Sequence, residues 1–93
     1  MIDLREVQKE VYQNKIDKGF NVTDINKEFC LTYGEVSEAY EAWRKNKPDL
    51  GEEIADVAIY LLGLSEILKI DLEDEILKKF IKTQKENIKL LTV

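Results

Sequence analysis

Two pairs of acids stand out in this 93-residue chain: Glu35 with Glu38, and Glu53 with Asp56. Each pair is three residues apart, and on a helix such side chains project from one face. Asp56 is the only charged residue between Ile54 and Leu64, a stretch otherwise apolar on every side, and no Lys or Arg occurs between Leu50 and Glu66. An unpaired buried carboxylate costs several kcal/mol, so it must be paired, protonated or bound to a cation. Leu31 and Ala42 flank the first pair, which reads as an edge packed against something. The short Asn46–Pro48 connection favours an antiparallel arrangement of the two carrying helices, with the acidic pairs facing each other. Four carboxylates so placed carry about −4, and they raise one another's pKa or demand a cation. The donors are all oxygen, so hard divalent ions, Mg²⁺ or Mn²⁺, fit better than zinc or copper. The ordinary alternative, common in a chain with 35% charged residues, is a solvated helix face.

Other side chains carry more than one reading. Trp43 offers a face on which a nucleobase stacks, or it is core or interface like many a lone Trp; Phe20 and Tyr12 share that ambiguity. Lys78, Lys79, Lys82, Lys85 and Lys89 form a basic edge, either a solvated face or a phosphate grip. Cys30, beside Phe29 and Leu31, reads as a small buried hydrophobe. Gly63 inside an apolar helix points to close approach of another helix.

The elements that must position these residues are helices. Four segments have helical periodicity, near 3–18, 22–46, 49–69 and 71–90, and no segment alternates with period two. Asp3, Asn21, Asp49 and Asp71 stand at their starts as capping side chains, each with an acid three residues on. Gly19-Phe20, Asn46-Lys47-Pro48 and Ile70 break the pattern. Helix 2 carries an apolar stripe of Ile25, Phe29, Val36, Tyr40 and Trp43. Helix 3, apolar all round, must be enclosed on all sides, which three neighbours in so short a chain do poorly. The expected architecture is therefore a single all-α domain over 1–93, a four-helix bundle completed by oligomerisation.

Composition removes several classes. The net charge of −5 and pI near 4.8 give no basic field for a nucleic-acid polymer or an acidic membrane. One cysteine and no histidine exclude an internal disulfide, a thiolate–imidazole zinc site and a Ser-His-Asp triad within the chain. The longest apolar run, Val57 to Leu64, is eight residues, against roughly 20 for a membrane span. With no basic n-region leading into an apolar stretch, the chain is expected to be cytoplasmic.

The segment Leu31-Thr-Tyr-Gly-Glu35-Val-Ser-Glu38-Ala, followed by Gly51-Glu52-Glu53-Ile-Ala-Asp56-Val57, resembles the MazG-like all-α NTP pyrophosphohydrolases, whose signature is E-E-x-x-E, a spacer, then E-x-x-D. Fourteen residues separate Glu38 from Glu53, within that family's usual spacing. Lys18-Gly19-Phe20, Glu41-Ala42-Trp43-Arg44 and Lys69-Ile70-Asp71-Leu72 extend the likeness over roughly residues 15 to 82. The resemblance implies a MazG-like bundle, dimeric or tetrameric, with Glu35, Glu38, Glu53 and Asp56 as magnesium ligands and catalytic residues. It implies cleavage of a nucleoside triphosphate, ribo or deoxy, to the monophosphate and pyrophosphate, with a housecleaning role against unwanted nucleotides. Trp43, Lys79 and Lys82 are the expected substrate contacts. Gly34 stands where the family's first glutamate would be, and the arginine often found after the fourth helix is missing. These departures support the alternative, a non-catalytic metal- or nucleotide-binding or oligomerisation module of the same fold.

Overall fold

The computed structural model describes residues 2–86, and among them it contains four α-helices and no strand: α1 (Leu4–Asp17), α2 (Ile25–Arg44), α3 (Leu50–Ile67) and α4 (Leu72–Glu86). Lys89 and the expected end of α4 at residue 90 lie outside the described residues. None of the described helices is long and apolar enough to cross a membrane.

Local chemistry accounts for the starts and stops. Asp3 accepts from the backbone N–H groups of Arg5 and Glu6. Asp71 accepts from that of Asp74 at 3.1 Å. At α2 the cap is Asp24, which accepts from Lys27 N, rather than Asn21; Asn21 instead accepts from Asp24 N at 3.0 Å and shapes the turn before it. The first three helices stop alike: Gly19, Asn46 and Lys69 adopt positive φ of 58–70°. The next residue's N–H then reaches back to the carbonyls of Lys15, Ala42 and Ser65, each at 2.8 Å. That is the left-handed helix stop, met without strain only at the glycine.

α2 and α3 fold back on each other through the Lys45–Asp49 connection, α1 packs on the other flank of α3, and α4 packs chiefly on α1. Gly63 sits at a close α1–α3 approach: a Cβ there would lie 3.2 Å from the Lys15 Cδ and 3.4 Å from Val11, as a close helix crossing requires. Gln8, buried on α1, ties that helix to the α3–α4 turn by donating to Glu66 (3.0 Å) and to the Ile70 carbonyl (2.7 Å).

Burial departs from expectation in three places. The apolar stripe of α2 is not its packed face. Phe29, Val36, Tyr40 and Trp43 are exposed, while Glu28, Thr32 and Ala42 are buried; the smaller residues of that face let α3 approach, and a polar network, described below, satisfies Glu28. Enclosure of α3 is confined to its C-terminal half, Leu62 to Ser65, with Ile54, Ile59 and Leu61 open to solvent. Cys30 is exposed, because it lies on the outward side of α2 with Phe29. The radius of gyration, 15.1 Å, exceeds the roughly 12 Å of a close-packed domain this long, in keeping with helix faces that lack a neighbour.

Candidate metal centre

The α2–α3 hairpin delivers three of the four expected carboxylates to one point. One oxygen from each of Glu35, Glu38 and Glu53 lies within 4.8 Å of the other two. Glu35 and Glu53 are half-buried and Glu38 is exposed. The i, i+3 spacing puts Glu35 and Glu38 on one edge of α2, and Glu53, in the first turn of α3, meets them across the hairpin.

Their surroundings contain little to neutralise them. Oε2 of Glu35 and Oε2 of Glu53 are buried without a hydrogen-bond partner among the described residues. Burial pushes the Glu35 carboxyl above the ordinary range, helped by its contact with Glu38 and by repulsion from Glu38, Asp56 and Glu53. Burial also raises Glu53, with Glu38, Asp49 and Asp56 adding to the effect against a small opposing pull from Lys47. Two unpartnered acceptors beside each other, in carboxyl groups that repel one another, are what a bound cation relieves. The donor set of carboxylate oxygens fits a hard divalent ion.

Asp56 departs from expectation. It is exposed, not enclosed, because the N-terminal half of α3 is open. It still lies near enough to raise Glu35 and Glu53, at the rim of the three-carboxylate cluster. Trp43 is 64% exposed near the end of α2, its ring 6.1 Å from that of Tyr40. Lys79 and Lys82 are exposed on α4, a helix that packs on α1 rather than on the hairpin that carries the acids.

Two further residues belong to the description. Asp49, expected as the α3 cap, makes no capping bond. Its Oδ1 is instead buried without a partner among the described residues, and its charge presses on Glu53 one turn away; the i, i+4 spacing to Glu53 was the available signal. Tyr60 follows Asp56 by one turn, and burial together with Glu35, Glu28, Asp56 and Glu38 raises its phenol. It stands between the acidic cluster and a second charged group, where Lys15 Nζ meets Glu28 Oε1 at 2.5 Å, lies 5.2 Å from the Tyr60 ring centroid, and Asn21 donates to Glu28 Oε2 at 3.1 Å. No protein-family model, curated protein or solved structure matches the chain.

Proposed function

We propose that this protein is a divalent-cation-dependent nucleotide pyrophosphohydrolase, cleaving ribo- or deoxyribonucleoside triphosphates to the monophosphate and pyrophosphate, as the resemblance of its acidic segments to the MazG-like enzymes implies. The observation that carries the reading is the convergence of Glu35, Glu38 and Glu53 with two buried oxygens left unpartnered. Those three residues, with Asp56 at the rim, would hold Mg²⁺ or Mn²⁺. Bound there, such an ion neutralises phosphate oxygens and makes a water more acidic. The chain's own contribution is to position: the hairpin fixes three carboxylates before substrate arrives, and a carboxylate raised above its ordinary range is better suited to take a proton from water. Trp43, with its face open, is assigned to the base, and Lys79 and Lys82 to phosphate. The reading includes a cytoplasmic setting and a homodimer or homotetramer, in which a second copy covers the outward stripe of α2 and the open half of α3. The test is pyrophosphate release from a panel of NTPs and dNTPs with and without Mg²⁺. Release that requires the metal and disappears in Glu53→Gln supports the reading; no release from any member by folded protein removes it.

A second reading, a metal- or nucleotide-binding or oligomerisation module without turnover, is favoured by Gly34. An added Cβ at Gly34 would meet nothing within 4 Å, so no packing requirement accounts for the glycine. Calorimetric nucleotide binding without hydrolysis is its signature.

A further inference from the structure

The three helix stops share a geometry but not a residue type. Gly19 adopts positive φ freely and an asparagine such as Asn46 tolerates it, whereas Lys69, at φ 59°, sets its Cβ against the backbone. A glycine would make the same turn without that clash. Strain of this kind gathers at ligand sites, and the surroundings of Lys69 are those of one. With Arg5, Gln8, Lys9, Glu66 and Asp71 it lines an open pocket of about 330 Å³ between α1 and the α3–α4 turn. Arg5 and Lys9, four residues apart on α1, share a face. Both acids of the pocket are engaged: Glu66 accepts from Gln8 at 3.0 Å, and Asp71 accepts from Arg5 Nε at 2.8 Å and from Asp74 N at 3.1 Å. The cations are less so. Among the described residues Lys69 has no ion pair, Lys9 reaches only Glu6 at 4.0 Å, and Arg5, which holds Asp71 and Glu73, keeps its other Nη free. Gln8, 5% exposed, donates to Glu66 and to the Ile70 carbonyl and accepts from Leu72 N. The turn that carries Lys69 is thereby fixed to α1 before any ligand arrives.

The acidic cluster lacks cations; here cations lack an anion. In a chain of net charge −5, long-range repulsion opposes every anion, so a monoanion gains little. A phosphate dianion meets three cations at once and has an oxygen for each. We propose that this pocket binds a phosphate group, free or carried by a small molecule, through Arg5, Lys9 and Lys69. It lies at the opposite end of α3 from Glu53 and calls for no divalent ion, so it is independent of nucleotide hydrolysis.

Equilibrium dialysis of the full chain against radiolabelled inorganic phosphate, with EDTA and at about pH 8 where phosphate is a dianion, reads this site without the metal centre. Saturable uptake that excess acetate does not displace is the expected result. Lys9→Gln and Lys69→Gly each weaken it at least fivefold, while Lys18→Gln, at the other end of α1, leaves it unchanged. Lys69→Gly also raises the urea midpoint, because glycine removes the strain; a lower midpoint would make Lys69 a structural residue and overturn its assignment to the ligand. A nucleoside monophosphate that competes more tightly than inorganic phosphate identifies a phosphomonoester as the source, and one that competes no more tightly identifies free phosphate. Absence of saturable uptake, or uptake that both Lys9→Gln and Lys69→Gly leave unchanged, overturns the site.

Discussion

Helix α2 carries two acidic residues seven positions apart with opposite circumstances. Glu28 is 1% exposed, yet both its oxygens are satisfied, one by Lys15 and the other by Asn21. Glu35 is less buried, but its Oε2 has no partner among the described residues and its neighbours include Glu38, Glu53 and Asp56. The deeper carboxylate is neutralised by protein; the shallower one is surrounded by its own sign. Depth of burial therefore does not distinguish an acid that the fold neutralises from one that it leaves among like charges. What distinguishes them is whether the chain supplies the counter-charge. At Glu28 it does, and three elements, α1, the turn after it and α2, are joined there. At Glu35 no counter-charge stands among the described residues, and in the proposed reading a bound cation would supply it.

Removing the counter-charge where the chain supplies one has the largest effect. Lys15→Met leaves Glu28 buried without its cation and is expected to destabilise the fold by about 3–5 kcal/mol, read by urea unfolding. A loss below about 1 kcal/mol would place Glu28 in water and dissolve the contrast. Supplying a counter-charge where the chain has none comes next. Mg²⁺ at a hundred times its dissociation constant should stabilise the parent by about 2.7 kcal/mol, and Glu35→Gln should lose most of that gain while its metal-free form is equal to or more stable than the parent. A metal-free variant that unfolds would make Glu35 a structural residue like Glu28. A smaller effect is expected at Gly34, where open space admits a side chain. Gly34→Glu exchanges a poor helix former for a good one, worth up to about 1 kcal/mol, with added repulsion offsetting the gain until Mg²⁺ is present. Unfolding curves with and without the metal separate the two contributions.

The smallest effect is a pH dependence. Glu35 is raised above its ordinary 4.5 in the folded chain, so the fold binds its proton more tightly than the unfolded chain does. The stability from this group is complete below that ordinary value and is lost as pH rises through the folded one. Glu35→Gln should therefore match the parent in acid and exceed it progressively above pH 4.5, with the gap closing in Mg²⁺. A gap that stays constant with pH would mean that the acidic cluster does not couple to folding.

The helices were legible because their punctuation is local. Asp3 and Asp71 cap as expected, and the breaks expected at Gly19, Asn46 and Ile70 fall at or beside the three left-handed stops, Gly19, Asn46 and Lys69. Glu35, Glu38 and Glu53 were legible because a three-residue spacing and a short hairpin leave few ways to place them. What could not be read was which face of α2 packs inward. Hydrophobicity favoured the Phe29–Trp43 stripe, whereas the hairpin buries Glu28, Thr32 and Ala42. That choice depends on Lys15 and Asn21, residues distant enough in sequence that no periodicity connects them to Glu28. The exposure of Asp56 follows from the same cause: with the apolar stripe of α2 turned outward, α2 meets the first turn of α3 at Glu53 and leaves the Ile54–Asp56 side open among the described residues.

The central claim is that Glu35, Glu38 and Glu53 form a cation site awaiting an ion that the chain does not replace. Titrating Mn²⁺ into metal-free protein, with the electron paramagnetic resonance signal of free Mn²⁺ as the readout, addresses it without depending on turnover. Saturable uptake by the parent, displaced by Mg²⁺ and abolished in Glu35→Gln but retained in Glu28→Gln, is the expected result. Uptake that is absent from the parent, or that survives unchanged in Glu35→Gln, contradicts it.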